Sequence, residues 1–294
     1  DLGGSFRKLT HYHNGVEFDA SFNPLQFKDV AYLKEFILSV ADASWGNKDQ
    51  GKLFKAIKGI LESDKVSDFK EFILKLEKEI PGISLYFEEI IESLSAKQTQ
   101  TGKITYCDFS RYPEKIKAPL IIFMIEYFKN LPGRKIFVFD ECWHLLNKHA
   151  DYITECFRTF RKYEACALAI GQNLNDFIST SVGKAIVENT HYKILFRQDL
   201  AANEYLGVGV ASKLSSIHSK KGAYSESLFI FENLSKAVRY YPTPLEYELF
   251  TSDKTDNDHF QKYVSDCGRF LEFPQALENY VSIKYPSEQG QSNA

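Results

Sequence analysis

The chain has 294 residues, 44% of them apolar and 26% charged, a globular composition able to bury one sizeable core and a smaller subdomain. A formal net charge of -3 excludes the whole-domain basic excess of a protein that wraps nucleic acid, so DNA binding is unsupported by charge beyond a local patch. No apolar run approaches the roughly 18 residues of a membrane-spanning helix, and five cysteines (Cys107, Cys142, Cys156, Cys166, Cys267) without a CxxC pair read as buried thiols.

Residues 1–25 read as a strand end and turn, followed by a hairpin in which Asn14-Gly15 joins Leu9-Thr10 to Val16-Glu17-Phe18. From 26 to 97 the period becomes helical: Phe27, Val30, Leu33 and Ile37 fall at three- and four-residue steps, as do Phe69, Phe72, Ile73 and Leu76. Pro81-Gly82 interrupts this array and 84–94 resumes it, giving about four helices in a helical subdomain. A half-buried strand is expected over 104–109 and a helix over 118–129. The apolar run 135–139 reads as a strand buried on both faces of a parallel sheet. Helix 152–163, strand 165–170, helix 182–189 and strand 193–196 follow, and this alternation predicts an α/β domain with a mostly parallel sheet over 98–256. A helix near 202–207, a hairpin within 222–250 and two helices, 258–267 and 274–284, complete the pattern; residues 257–294 form the C-terminal helices.

The strongest chemical signal is Ile136-Phe137-Val138-Phe139-Asp140-Glu141, an apolar strand delivering two adjacent carboxylates at its C-terminal end, where open parallel sheets place ligands. In P-loop NTPases the first such acid holds the Mg2+ that bridges the ATP phosphates. The second, turned to the opposite side by strand alternation, orients and polarises the attacking water. Asp140 and Glu141 fit these two roles, although a strand ending in an acidic turn has the same sequence. About thirty residues on, Gln172 ends another apolar strand, where it can contact the γ-phosphate or the water, or serve as an ordinary turn residue. Arg158 and Arg161 lie three apart on one helix face, placed either to reach a neighbouring subunit's phosphate or to form a solvated basic face. Arg197 is the next strand-end cation and a candidate nucleotide contact, with the same two readings.

Taken in order, Asp1-Leu2-Gly3-Gly4-Ser5-Phe6-Arg7-Lys8-Leu9, Phe137-Val138-Phe139-Asp140-Glu141-Cys142-Trp143, Phe160-Arg161-Lys162-Tyr163, Gly171-Gln172-Asn173-Leu174-Asn175-Asp176-Phe177 and Ile194-Leu195-Phe196-Arg197-Gln198 resemble motifs of the TraC-type ATPases of conjugative type IV secretion systems. Gly171 departs from that pattern, since Thr is commoner there. The resemblance implies a RecA-like P-loop NTPase core with an inserted all-helical subdomain, matching 26–97. It implies ATP and Mg2+ as cofactors, with Glu141, Gln172, Arg158 and Arg161 as catalytic candidates and Asp140 and Arg197 as nucleotide or metal contacts. It also implies a hexamer or dimer that works with other secretion-system subunits at the cytoplasmic face of a bacterial inner membrane.

The sequence contains no G-x-x-x-x-G-K-[ST] phosphate-binding loop; Gly51-Lys52 is followed by Leu53 rather than a hydroxyl, and Gly183-Lys184 lacks both the preceding glycine and the following hydroxyl. The family places that loop before the Asp-Leu-Gly-Gly-Ser segment, so the chain is expected to be a fragment that binds ATP poorly by itself. Two alternatives stay open: a DNA-translocating coupling protein, for which Lys213, His218, Lys220 and Lys221 offer the one short basic stretch, and a non-catalytic assembly module that docks partner proteins.

Overall fold

The computed structural model describes residues 5–18, 21–41, 45–63, 65–94, 101–141, 149–197, 208–232, 234–268 and 271–286. In chain order its elements are α1 (Arg7–Tyr12), β1 (Val16–Glu17), α2 (Val30–Ala41), α3 (Asn47–Ser63), α4 (Phe69–Glu79), β2 (Thr105–Tyr106), α5 (Glu114–Lys129), β3 (Lys135–Asp140), α6 (Ala150–Thr159) and β4 (Ala165–Ile170). These are followed by α7 (Leu174–Ile178), α8 (Ser181–Asn189), β5 (Tyr192–Leu195), α9 (Val208–Ser216), β6 (Ser225–Phe231), β7 (Leu234–Tyr240), α10 (Pro244–Phe250), α11 (Lys254–Tyr263) and α12 (Phe273–Lys284). They fall into two compact units, one built from Phe18–Gln100 and Cys107–Asn189, the other from Gly3–Glu17, Thr101–Tyr106 and Thr190–Ala294. Among the described residues no helix is long and apolar enough to cross a membrane.

The first unit buries an aromatic core. Tyr32, Phe36, Phe69, Phe72, Phe87 and Phe123 are each below 2% exposed, and rings such as Phe22 and Phe123 stack with centroids 4.1 Å apart. Capping sets the helix boundaries: Asp29 accepts from the Tyr32 amide at 2.7 Å and Asp68 accepts from the Glu71 amide at 2.9 Å. Gly82, at φ 87°, ends the α4 segment, and the Glu77 carboxylate catches the Gly82 and Ser84 amides at 2.7 and 2.8 Å. Those amides hold the Glu77 pKa below its ordinary value. After this turn, 84–94 forms short 3-10 turns, Ile83–Tyr86 and Ile91–Leu94, in place of the α-helix its period suggested. Helix α5 starts four residues before the predicted Ala118, because Pro113 caps it and Pro119 is accommodated inside it.

β3 and β4 pair in parallel, from Lys135 opposite Ala165 to Asp140 opposite Ile170. Their inner face carries Phe137 and Phe139. Phe137 stacks on Phe160 at 4.8 Å, and Phe139 meets Phe157 of α6 at 5.5 Å. The outer face corrects the expectation of burial on both sides: Ile136 is 71% exposed, Val138 43% and Leu168 47%. No described residue of this unit covers them. Cys166 shares that face and is exposed, so of the described thiols only Cys107 and Cys156 are buried as expected. Cys142 and the side chain of Cys267 lie outside the described residues.

In the second unit the N-terminal hairpin is replaced by a helix and a parallel pair. Residues 7–12 form α1, and Val16 and Glu17 pair in parallel with Thr105 and Tyr106. Asn14, at φ 51°, takes the left-handed position that ends a helix as readily as it makes a hairpin turn. At Gly15 a Cβ would lie 2.7 Å from the Ile104 carbonyl, so only glycine fits there. β5, expected to continue the mostly parallel sheet, instead pairs antiparallel with β6, and β6 with β7, in a sheet separate from β3 and β4 because the 225–240 hairpin supplies its partner; Leu214 and Ile217 close one side of that sheet over Leu228. The predicted hairpin to 250 stops at Tyr240, and 244–250 is α10. Helix α11 begins at Lys254 rather than 258, because Asp253 accepts from the Thr255 and Asp256 amides. The helix expected over 202–207 lies outside the described residues.

Candidate functional site

Parallel pairing in register brings the C-terminal ends of β3 and β4 side by side, which places Asp140-Glu141 next to Ile170-Gly171-Gln172. The ladder continues one residue past the strand, where the Glu141 amide donates to the Ile170 carbonyl at 3.1 Å. Glu141 has φ 53°, a left-handed conformation that is strained for any residue with a Cβ. The second acid is therefore turned by its own backbone, not by strand alternation. Its carboxylate Oε1 accepts a hydrogen bond from Gln172 Nε2 at 2.7 Å, which joins two of the predicted site residues directly. Asp140 is half-buried, and burial, reinforced by the neighbouring Glu141 charge, raises its carboxyl pKa above the ordinary value.

Sequence reasoning missed what fixes Gln172. Beyond it, Asp176 Oδ2 accepts from the Asn173 amide at 3.0 Å and starts α7; the signal was the N-x-x-D spacing of Asn173 and Asp176. Phe177 of that helix lies over Gly171, where an added Cβ would stand 2.6 Å from the ring Cε2. Gly183 of α8 packs closely on the backbone of Phe177, since a Cβ there would lie 2.0 Å from the Phe177 carbonyl oxygen. Two glycines and one phenylalanine thus set the path of the chain leaving β4.

The arginines are placed differently. Arg158 is exposed in the last turn of α6, and Arg161 is exposed in the 3-10 turn Phe160–Tyr163 that follows. Among the described residues neither has an ion-pair partner. Arg197 belongs to the second unit, exposed just past β5, and is not among the residues the first unit assembles. Most of the basic stretch is tied up within its own unit. Lys213 donates to Ser235 Oγ at 2.8 Å, His218 Nδ1 lies 3.3 Å from Glu226, and Lys221 pairs with Asp253 at 2.6 Å.

For a metal, the described residues contain no cluster of three or more His, Cys, Asp or Glu. What the site offers is a carboxylate oxygen of Asp140, a hard donor of the kind that holds Mg2+ alongside phosphate and water oxygens, and that donor set fits a nucleotide-bound cation.

Comparison with known proteins bears on this geometry. The chain is similar to Protein TraC of Escherichia coli (strain K12), 25% identical over 326 residues, covering 89% of this chain and 37% of that protein, so it spans well under half of that relative's length. It is also similar to the solved structure of VirB4 of Thermoanaerobacter pseudethanolicus, with a TM-score of 0.62, 18% identity, and coverage of 82% of this chain and 80% of that one. At that identity the likeness is one of fold, and the α/β, RecA-like P-loop class expected from the sequence holds. The bacterial conjugative coupling protein TrwBdeltaN70 aligns at a TM-score of 0.41 and 11% identity, over 77% of this chain and 66% of that one. A family model described as the TraG P-loop domain matches residues 118–281, a span of more than half of the chain that contains both carboxylates and Gln172. The chain therefore belongs to the TraG P-loop domain family.

Proposed function

We propose that the complete protein is an ATP-hydrolysing motor of a conjugative type IV secretion system, and that this chain contributes the acidic side of its catalytic site. The observation that carries this reading is the pair Asp140-Glu141 at the C-terminal end of a parallel strand, with Glu141 hydrogen-bonded to Gln172 of the adjacent strand end. Membership of a P-loop family and the resemblance to TraC-type ATPases support it.

In this reading Asp140 supplies a carboxylate oxygen to Mg2+. When bound, that cation neutralises charge on the ATP phosphates. Glu141 accepts the proton of the attacking water or orients it, and Gln172, hydrogen-bonded to Glu141, couples that carboxylate to nucleotide state. Arg158 or Arg161 reaches the phosphates of a neighbouring copy in a hexamer or dimer, and Arg197 contacts the nucleotide. The phosphate-binding loop is not among these 294 residues, so these roles belong to the complete protein. Its proposed place is the cytoplasmic face of the inner membrane, beside other secretion-system subunits, where it drives pilus assembly or substrate transfer.

The test is Mg-ATP hydrolysis by the complete protein with and without Glu141→Gln. Removing a general base lowers kcat by about 100-fold or more, while equilibrium binding of a fluorescent ATP analogue stays within about threefold. A variant that turns over at the parent rate, or a complete protein that hydrolyses no nucleotide, would refute the reading.

A further inference from the structure

We infer that Gln172 is a positioning residue, acting on the reaction through Glu141 rather than by its own contact with phosphate, and that the Gly171–Phe177 fit is what aims it. This rests on the role proposed above for Glu141.

The geometry is specific about the direction of the bond. A carboxylate offers two oxygens to an approaching water. Here Oε1 is taken by the Gln172 amide at 2.7 Å, so Oε2 is the oxygen left for a proton. The backbone of Glu141 is held as well, because its amide is committed to the Ile170 carbonyl at 3.1 Å in a left-handed conformation. A base fixed at its backbone and at one oxygen has little rotational freedom left to lose on aligning water, which is how a preorganised site saves orientation entropy.

The amide is aimed in turn by what surrounds it. Gln172 follows Gly171, and the Phe177 ring occupies the space a Cβ would need at that position. The backbone that carries this ring is itself closely packed, because Gly183 lies against the Phe177 main chain. Asn173, next in the chain, is pinned to Asp176 by the hydrogen bond its backbone N–H donates to the Asp176 carboxylate at the start of α7. A threonine at 171 therefore requires the Phe177 ring to move from this position, so the glycine and the ring act as one steric unit behind Gln172.

The experiment uses the complete protein and two readouts, steady-state hydrolysis and equilibrium binding of a fluorescent ATP analogue. Gln172→Ala is expected to lower kcat by about 10- to 100-fold, the usual effect of removing a partner that orients a reacting group, with KM and analogue affinity within about threefold. Added to Glu141→Gln it is expected to change nothing further, because residues acting as one unit are non-additive. Gly171→Thr should reproduce the kcat loss, and Phe177→Ala in the same chain should restore it. A third readout needs no nucleotide: the side-chain amide resonances of Gln172 in this chain should move on Glu141→Gln. A drop of tenfold or more in analogue affinity on Gln172→Ala, present also in the Glu141→Gln background, would overturn the inference in favour of direct phosphate contact. Additive kcat losses, or amide resonances unmoved by Glu141→Gln, overturn it too. If Glu141→Gln alone leaves hydrolysis intact, the functional reading fails at its own step, and that result is distinct from every outcome at Gln172.

Discussion

Two thiols illustrate how burial sets reactivity. Burial pushes the Cys107 thiol up to about 12 and the Cys156 thiol up to about 11. The reactive form is the thiolate, so both are inert in the folded chain at neutral pH, whereas Cys166 is exposed on the outer face of β4. Peptide mapping after brief alkylation at pH 7.5 is expected to find Cys166 modified and Cys107 and Cys156 protected until denaturant is added. Equal rates at Cys107 and Cys166 would contradict the described core. A second residue-scale test falls on Gly183, where a Cβ would meet the Phe177 carbonyl oxygen at 2.0 Å. Backbone cannot yield as a side-chain tip can, so Gly183→Ala is expected to destabilise the first unit by about 2–3 kcal/mol in denaturant titration. An unchanged midpoint would show that α8 does not sit against Phe177.

At the level of elements, what was legible depended on whether pattern and packing agreed. β3, β4, α8 and α12 announce themselves as apolar runs or helical periods, and they fold within a few residues of the expected bounds. The 244–250 segment does not, because Leu245-Glu246-Tyr247-Glu248-Leu249 alternates like a strand. Glu248 is 1% exposed. The competing signal was local: Thr243 Oγ1 accepts from the Glu246 amide at 3.2 Å, Glu246 accepts from the Thr243 amide at 2.8 Å, and Pro244 takes the first helical position. Thr243→Ala is expected to cost about 1 kcal/mol and to raise amide exchange across 244–250. No change in exchange there would mean that the cap does not start the helix. The site divides in the same way. Asp140, Glu141 and Gln172 were legible from strand-end spacing, but the left-handed backbone of Glu141 was not, since nothing in a glutamate demands positive φ. The Phe177 wedge was not legible either, because it depends on two glycines twelve residues apart packing against one phenylalanine, one on its ring and one on its backbone.

Across the whole molecule, one buried charge ties the two ends of the described chain into the second unit. Glu248 Oε1 accepts from Lys284 Nζ at 2.8 Å and from the Tyr285 hydroxyl at 2.7 Å. Lys284 also reaches Asp256 at 3.2 Å, and Lys8 of α1 donates to the Glu248 carbonyl at 2.6 Å and to Asn257 at 2.8 Å. Burial works against the Lys284 ammonium, yet its bonds to Glu248 and Asp256 outweigh that and hold its pKa above the ordinary lysine value. Lys284→Met keeps most of the packing volume but leaves the Glu248 carboxylate buried without its cation. Losing one partner of a fully buried pair costs about 3–5 kcal/mol; with the Lys284 side chain 26% exposed, solvent screens part of this and about 2–3 kcal/mol is expected. Amide protection in α1 and α12 should fall together, because Lys8 and Lys284 meet the same residue from opposite ends of the chain. Acid titration adds a sign. Burial would raise the Asp256 pKa, but Lys284 and the Tyr247 hydroxyl lower it below the ordinary 3.8. The stability it contributes is therefore present above that pH and is lost as pH falls through the depressed value. The gap between parent and variant should accordingly be widest near neutrality and close below pH 3.8. A gap that stays constant down to pH 2, or one confined to α12, would show that this network does not bind α1 to the C-terminal helices.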